Sequence, residues 1–213
     1  MKNLKSDTIK SIVLFFILPC TDCVYFLFNR QHEHVYTLTT LIDKSIPFCS
    51  IFIVPYIFWF FNMYSTIIYF MITDKMVYYR ILACLFLDAV ISYTIFHFYP
   101  TVILRPDING GDFFTYLVSI LYKIDKPFNC FPSMHVSQTV IVTLFILNHH
   151  RKMLLKYMSI VICILIMLST LFIKQHYFYD VISGTFLGAI IYFSIDKFTA
   201  WATGYQKEQI SGL

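Results

Sequence analysis

His176 and Asp180 stand four residues apart in the run Lys174-Gln-His-Tyr-Phe-Tyr-Asp180. On a helix that spacing makes the carboxylate a neighbour of the imidazole. A carboxylate on one ring nitrogen fixes the tautomer and leaves the other nitrogen as the better nucleophile. His135, in Phe131-Pro-Ser-Met-His-Val136, is a second imidazole that could protonate a leaving group and later deprotonate water. Arg105, in Tyr99-Pro-Thr-Val-Ile-Leu-Arg-Pro106, offers a planar fork matched to phosphate oxygens. Lys174 adds a point charge two residues before the candidate nucleophile. Ser133, with the backbone N–H groups that open the next helix, completes an anion site. Nucleophile, orienting acid, proton donor and cationic clamp are the parts that phosphoryl transfer through a phosphohistidine needs.

These three segments are far apart in the chain, so the elements between them must bring them to one place. Of the 213 residues, 58% are hydrophobic and only 13% charged, where a soluble domain carries about a quarter charged. That excludes a disordered chain, a nucleic-acid-binding tail and an ordinary cytosolic enzyme. The charges cluster between long apolar runs, and a bilayer span takes about 20 apolar residues. Six candidate spans follow, at about 11–28, 47–72, 81–98, 134–147, 153–173 and 181–195. Pro55 is expected to kink the second, and the fourth is short. Of the 16 Lys and Arg, Arg30, Lys44, Arg105, Lys123, Lys126 and Lys174 fall on one side and the other ten on the opposite side. The richer side is expected to be cytoplasmic, with both termini there and the three polar segments on the extracytoplasmic or lumenal face. Phe113–Ile124 is apolar but too short to span and reads as a helix along the outer interface. The expectation is an all-α integral membrane protein, a single domain over 1–213 with six transmembrane helices and an interfacial helix before the fourth.

The three segments resemble the signature motifs of the type 2 phosphatidic acid phosphatase / vanadium haloperoxidase superfamily. Arg105-Pro106 match the end of its K-x6-R-P motif, and Pro132-Ser133-x-His135 match P-S-G-H. Ser169, His176 and Asp180 match S-R-x5-H-x3-D. The resemblance implies that His176 is the phosphate-accepting nucleophile, Asp180 its partner and His135 the general acid/base. It also implies a six-helix membrane fold that uses neither metal nor cofactor. Three positions depart from the pattern: Phe98 stands where the first motif has Lys, Thr170 where the third has Arg, and Met134 where the second has Gly. The run Lys174–Tyr177 and the Tyr-Pro before Arg105 look more like the inositol phosphorylceramide and sphingomyelin synthase branch. The implied function is a lipid phosphatase acting on a lipid phosphomonoester or diphosphate, its partners a lipid phosphate and the surrounding membrane lipids. The alternatives are a phospho-headgroup transferase and a non-catalytic lipid transporter or scaffold.

Other polar residues carry weaker readings. Ser169 and Asp88 could support the site from behind, although Asp88, like Asp22, reads more readily as a hydrogen-bonded group inside a span. A metal site at His32, Glu33 and His34 is less favoured than a solvated loop. Cys20 and Cys23 form a CxxC without a second pair, so these two, Cys49, Cys84 and Cys163 read as buried thiols in apolar runs, while Cys130 stands in a polar stretch without an obvious partner. Gly184 and Gly188, four apart in the sixth span, read as a close helix contact.

Overall fold

The computed structural model describes residues 2–30, 33–108 and 110–211; His32 and the side chains of Asp22, Lys2, Lys5 and Lys207 lie outside the described residues. Among these the chain is helical, with two isolated backbone bridges and no strand. The helices are α1 (Lys2–Phe15), α2 (Ile17–Phe28), α3 (Leu41–Ser45), α4 (Ile53–Thr73), α5 (Lys75–Phe98), α6 (Phe113–Ile124), α7 (Met134–His149), α8 (Met153–Phe172) and α9 (Phe178–Ser211). Five segments are long and apolar enough to cross a membrane: Ile9–Phe28, Ser50–Thr73, Lys75–Phe98, Met153–Phe172 and Phe178–Thr199.

Local chemistry explains where these elements start. The Asp74 carboxylate accepts from the N–H groups of Met76 and Val77, 3.0 and 3.1 Å away, and so caps α5 immediately after α4 ends. Asp112 does the same for α6, accepting from Thr115 N at 2.8 Å. Thr40 and Asp43 form a reciprocal capping box on α3. The kink expected at Pro55 is absent, because Pro55 falls in the first turn of α4, behind a 3-10 turn at Ser50–Phe52. There the missing N–H has no intrahelical acceptor to lose.

α7 sits at the centre, packed against α4, α5, α8 and α9. Residues 136–143 are buried all round, including Ser137, Gln138, Thr139 and Thr143. A helix enclosed by protein can carry such groups, whereas a lipid-facing one must be apolar. At 16 residues it is about 24 Å long, short of the roughly 30 Å hydrocarbon layer. Apolar packing fills the half of the bundle away from the site, with Phe70, Tyr78, Ile81, Ile141 and Phe145 nearly or fully enclosed. Arg80 and Asp196 form an ion pair between α5 and α9 at that end.

α9 approaches α7 more closely than a side chain would allow. A Cβ on Gly184 would lie 2.5 Å from the Ser133 carbonyl oxygen, and one on Gly188 would collide with the Ser137 carbonyl. The two glycines four apart therefore bring the start of α9 against the start of α7.

Candidate active site

Three connections between helices converge where α7 and α9 begin. The turn after α8 folds back on itself, with the N–H groups of Gln175 and His176 both donating to Thr170 O at 2.9 and 3.1 Å. Lys174 takes a left-handed backbone conformation there (φ 53°). Asp180 Oδ2 accepts from Tyr177 N at 2.8 Å, capping α9 from its first turn. Asp43, from α3, accepts from Phe178 N at 2.8 Å. Ser133 N donates to Asp180 O at 3.1 Å, which joins the start of α7 directly to α9. Leu104 N donates to the Tyr177 hydroxyl at 3.0 Å, so the segment carrying Arg105 is tied to the same turn.

Within this frame His176 Nδ1 lies 2.9 Å from the Cys130 carbonyl and 3.5 Å from Asp180 Oδ2. A carbonyl can only accept, so Nδ1 carries the proton and Nε2 presents its lone pair. The Cys130 carbonyl is thus the nearer orienting group, and nothing in residue type alone could have revealed a main-chain acceptor. The ring of His135 is 5.9 Å from that of His176. It packs against Tyr56 and Trp59 at ring distances of 4.7 and 4.5 Å.

The two candidate cations are both engaged by protein carbonyls. Arg105 Nη1 donates to Asp125 O at 2.7 Å, Nη2 donates to Gln175 Oε1, and the guanidinium lies 4.4 Å above the Tyr122 ring. Its Nε is buried without a hydrogen-bond partner among the described residues, as are Gln175 Nε2 and Ser133 Oγ. Lys174 Nζ donates to the carbonyls of Asp43 and Ile46 at 3.2 and 2.6 Å. Partial burial lowers its pKa, with Asp43 acting against that. Ser169 donates its hydroxyl to Ile166 O at 2.6 Å, within its own helix. Asp88 is fully buried in α5 beside Ser137 and Gln138 of α7. Phe98 is 78% exposed on the outside of the bundle, while Thr170 is fully enclosed.

His135 and His176 line a cavity of about 390 Å³. Its walls are largely aromatic, and its polar lining includes Asp125, Asn129 and Gln138. Asp125, Gln175, Tyr56 and the Cys130 carbonyl are the site groups that sequence motifs did not single out. Cys130 Sγ, the His176 ring and the Asp180 carboxylate also offer atoms within 4.8 Å of one another that could hold a metal ion. Burial pushes the Cys130 thiol well up from its ordinary value, and His176 Nδ1 is already committed to its carbonyl, so this set is poorly prepared to bind a cation.

The fold resembles that of LpxE from Aquifex aeolicus, with a TM-score of 0.54 at 18% identity over 82% of this chain and 93% of that one. Among curated protein sequences no match is found. Residues 76–203 match the family model of the PAP2 superfamily. That segment holds Arg105, Ser133, His135, His176 and Asp180 in the arrangement just described, and the chain belongs to the PAP2 superfamily.

Proposed function

We propose that this chain is a membrane lipid phosphatase that hydrolyses a lipid phosphomonoester or diphosphate through a phosphohistidine on the extracytoplasmic or lumenal side. α7 serves as a sixth span enclosed by α4, α5, α8 and α9, and α6 lies along the outer interface. The observation that carries the reading is the His176 ring, its Nδ1 proton held by the Cys130 carbonyl beside Asp180, with the His135 ring 5.9 Å away and both lining an aromatic cavity.

His176 Nε2 gives its lone pair to phosphorus while the bond to the leaving oxygen breaks, and protonated His135 supplies that oxygen with its proton. The phosphorylated imidazole is cationic, which Asp180 stabilises. Neutral His135 then takes a proton from water as the water oxygen attacks phosphorus. The P–N bond breaks, His176 recovers its lone pair and phosphate leaves. Arg105 Nε, Gln175 Nε2 and Ser133 Oγ are buried donors, without partners among the described residues, that an anion could satisfy. In full-length protein, His176→Ala should lower release of phosphate from lipid phosphates by about 10³-fold or more. Release at the wild-type rate overturns the mechanism.

A second reading, headgroup transfer between lipids, is favoured by one observation. Arg105 and Lys174 are both engaged by protein carbonyls, so few cations remain for the double charge of a monoester, whereas a phosphodiester carries a single charge. Labelled phospholipid supplied with and without a lipid alcohol separates the two: labelled lipid product without free phosphate favours transfer.

A further inference from the structure

The cavity holds a carboxyl group that the reaction at His176 does not use. Asp125, which ends α6, lines the cavity with His135 and His176. Its Oδ1 accepts from the Tyr25 hydroxyl at 2.8 Å and from Asn29 Nδ2 at 2.7 Å, two donors at the end of α2 that fix the carboxylate. Oδ2 has no hydrogen-bond partner among the described residues and is not among the enclosed polar atoms. Arg105 does not neutralise it by direct pairing, because its Nη1 bonds the Asp125 backbone carbonyl. Burial raises the carboxyl's pKa, while the Tyr25 bond and the Arg105 charge oppose that.

A carboxylate beside a phosphate site repels the substrate unless a cation arrives with the phosphate. The walls around Asp125 suit such a cation. Tyr25, Tyr56, Trp59, Phe60, Tyr93 and Phe96 line the same space, and aromatic faces attract alkylammonium groups, most strongly where water is excluded.

We propose that Asp125 and these aromatic walls bind the ammonium group of a substrate whose amine lies a few bonds from the reacting phosphate. The inference rests on phosphoryl transfer taking place at His176. Two sources share this chemistry: a lipid phosphomonoester with a free amine on its own backbone, and a phosphodiester with an aminoalcohol headgroup. Asp125 is then a specificity residue, and substrates in which the amine is acylated lose its contribution.

The test uses full-length protein in detergent micelles with two matched pairs, a sphingoid base phosphate with its N-acetyl analogue and phosphatidylethanolamine with its N-acetyl analogue. Free phosphate and phosphorylated headgroup products are scored together. The wild type should favour the free amine in one pair by about tenfold or more in kcat/KM, and Asp125→Asn should shrink that ratio by about tenfold. The pair that responds identifies the source. Equal rates for both members of each pair, or a ratio unchanged by Asp125→Asn, overturns the inference. Should the variant fail to fold, the wild-type ratio decides alone.

A binding measurement separates this inference from the reaction it rests on. Trp59 and Trp201 are the two tryptophans, so His176→Ala, Trp201→Phe protein reports the cavity through Trp59 fluorescence. Tighter binding of phosphoethanolamine than of N-acetylphosphoethanolamine, with no wild-type turnover of any substrate, upholds Asp125 and overturns phosphoryl transfer. Turnover without amine preference does the reverse, and neither turnover nor preference overturns both.

Discussion

The difference between a side chain's type and its partner is sharpest at Lys174. Its charge suggests a phosphate ligand, yet Nζ ties the turn before His176 to the carbonyls of Asp43 and Ile46. Its backbone is left-handed (φ 53°), which costs a non-glycine residue about 1–2 kcal/mol. Lys174→Ala should therefore destabilise the protein by about 1–3 kcal/mol, and Lys174→Gly should be about 1 kcal/mol more stable than Lys174→Ala. Thermal midpoints in detergent check the order; equal midpoints with raised KM in both would return Lys174 to the phosphate. Asp180 and the Cys130 carbonyl divide the work of orienting His176. Asp180→Asn should lower turnover by about 10²-fold or more, yet by less than His176→Ala, because the carbonyl still holds the Nδ1 proton. Equal losses would make Asp180 the sole orienting group. The histidines and Asp180 were legible in the sequence because their chemistry resides in their side chains. The Cys130 carbonyl and Gln175 were not, since one is main chain and the other acts through a long-range contact with Arg105.

Between the residue and the bundle, the helices differ in how openly their sequences declare them. Phe113–Ile124 is helical over the bounds that its apolar run suggested. The end of α9 was hidden, because Asp196 and Lys197 interrupt hydropathy without interrupting the helix, and Asp196 is paired with Arg80. The turn at Asp74 is likewise a capping event that an apolar count passes over. Gly184 is the element-scale device on which the site depends, since it lets α9 touch the Ser133 carbonyl. Gly184→Ala should force α7 and α9 apart, at a cost of about 1–3 kcal/mol. Turnover should fall although no residue of the candidate site is altered. A variant with wild-type thermal midpoint and wild-type kcat would show that the contact can relax without consequence.

At the scale of the whole molecule, the distribution of charge makes a claim about sidedness that can be tested apart from any chemistry. The ten Lys and Arg placed on the cytoplasmic side outnumber the six placed opposite, and in short loops that excess stays inside. The same topology puts the loop between α5 and α7 outside, with Asp107 exposed on it, and the loop between α7 and α8 inside, with Arg151 exposed. Because α7 is short and polar, hydropathy alone counts five spans, and five spans would place the two termini on opposite sides. The enclosure of α7 by α4, α5, α8 and α9 is the physical ground for counting it as a sixth. Single cysteines at Asp107 and Arg151, in a protein whose own six cysteines are replaced by alanine or serine, should react differently with a membrane-impermeant maleimide in intact cells. Asp107→Cys should label without lysis and Arg151→Cys only after it, with substrate required on the Asp107 side for turnover. Labelling of both positions from outside would remove α7 from the count of spans, and the reverse pattern would turn the active site towards the cytoplasm.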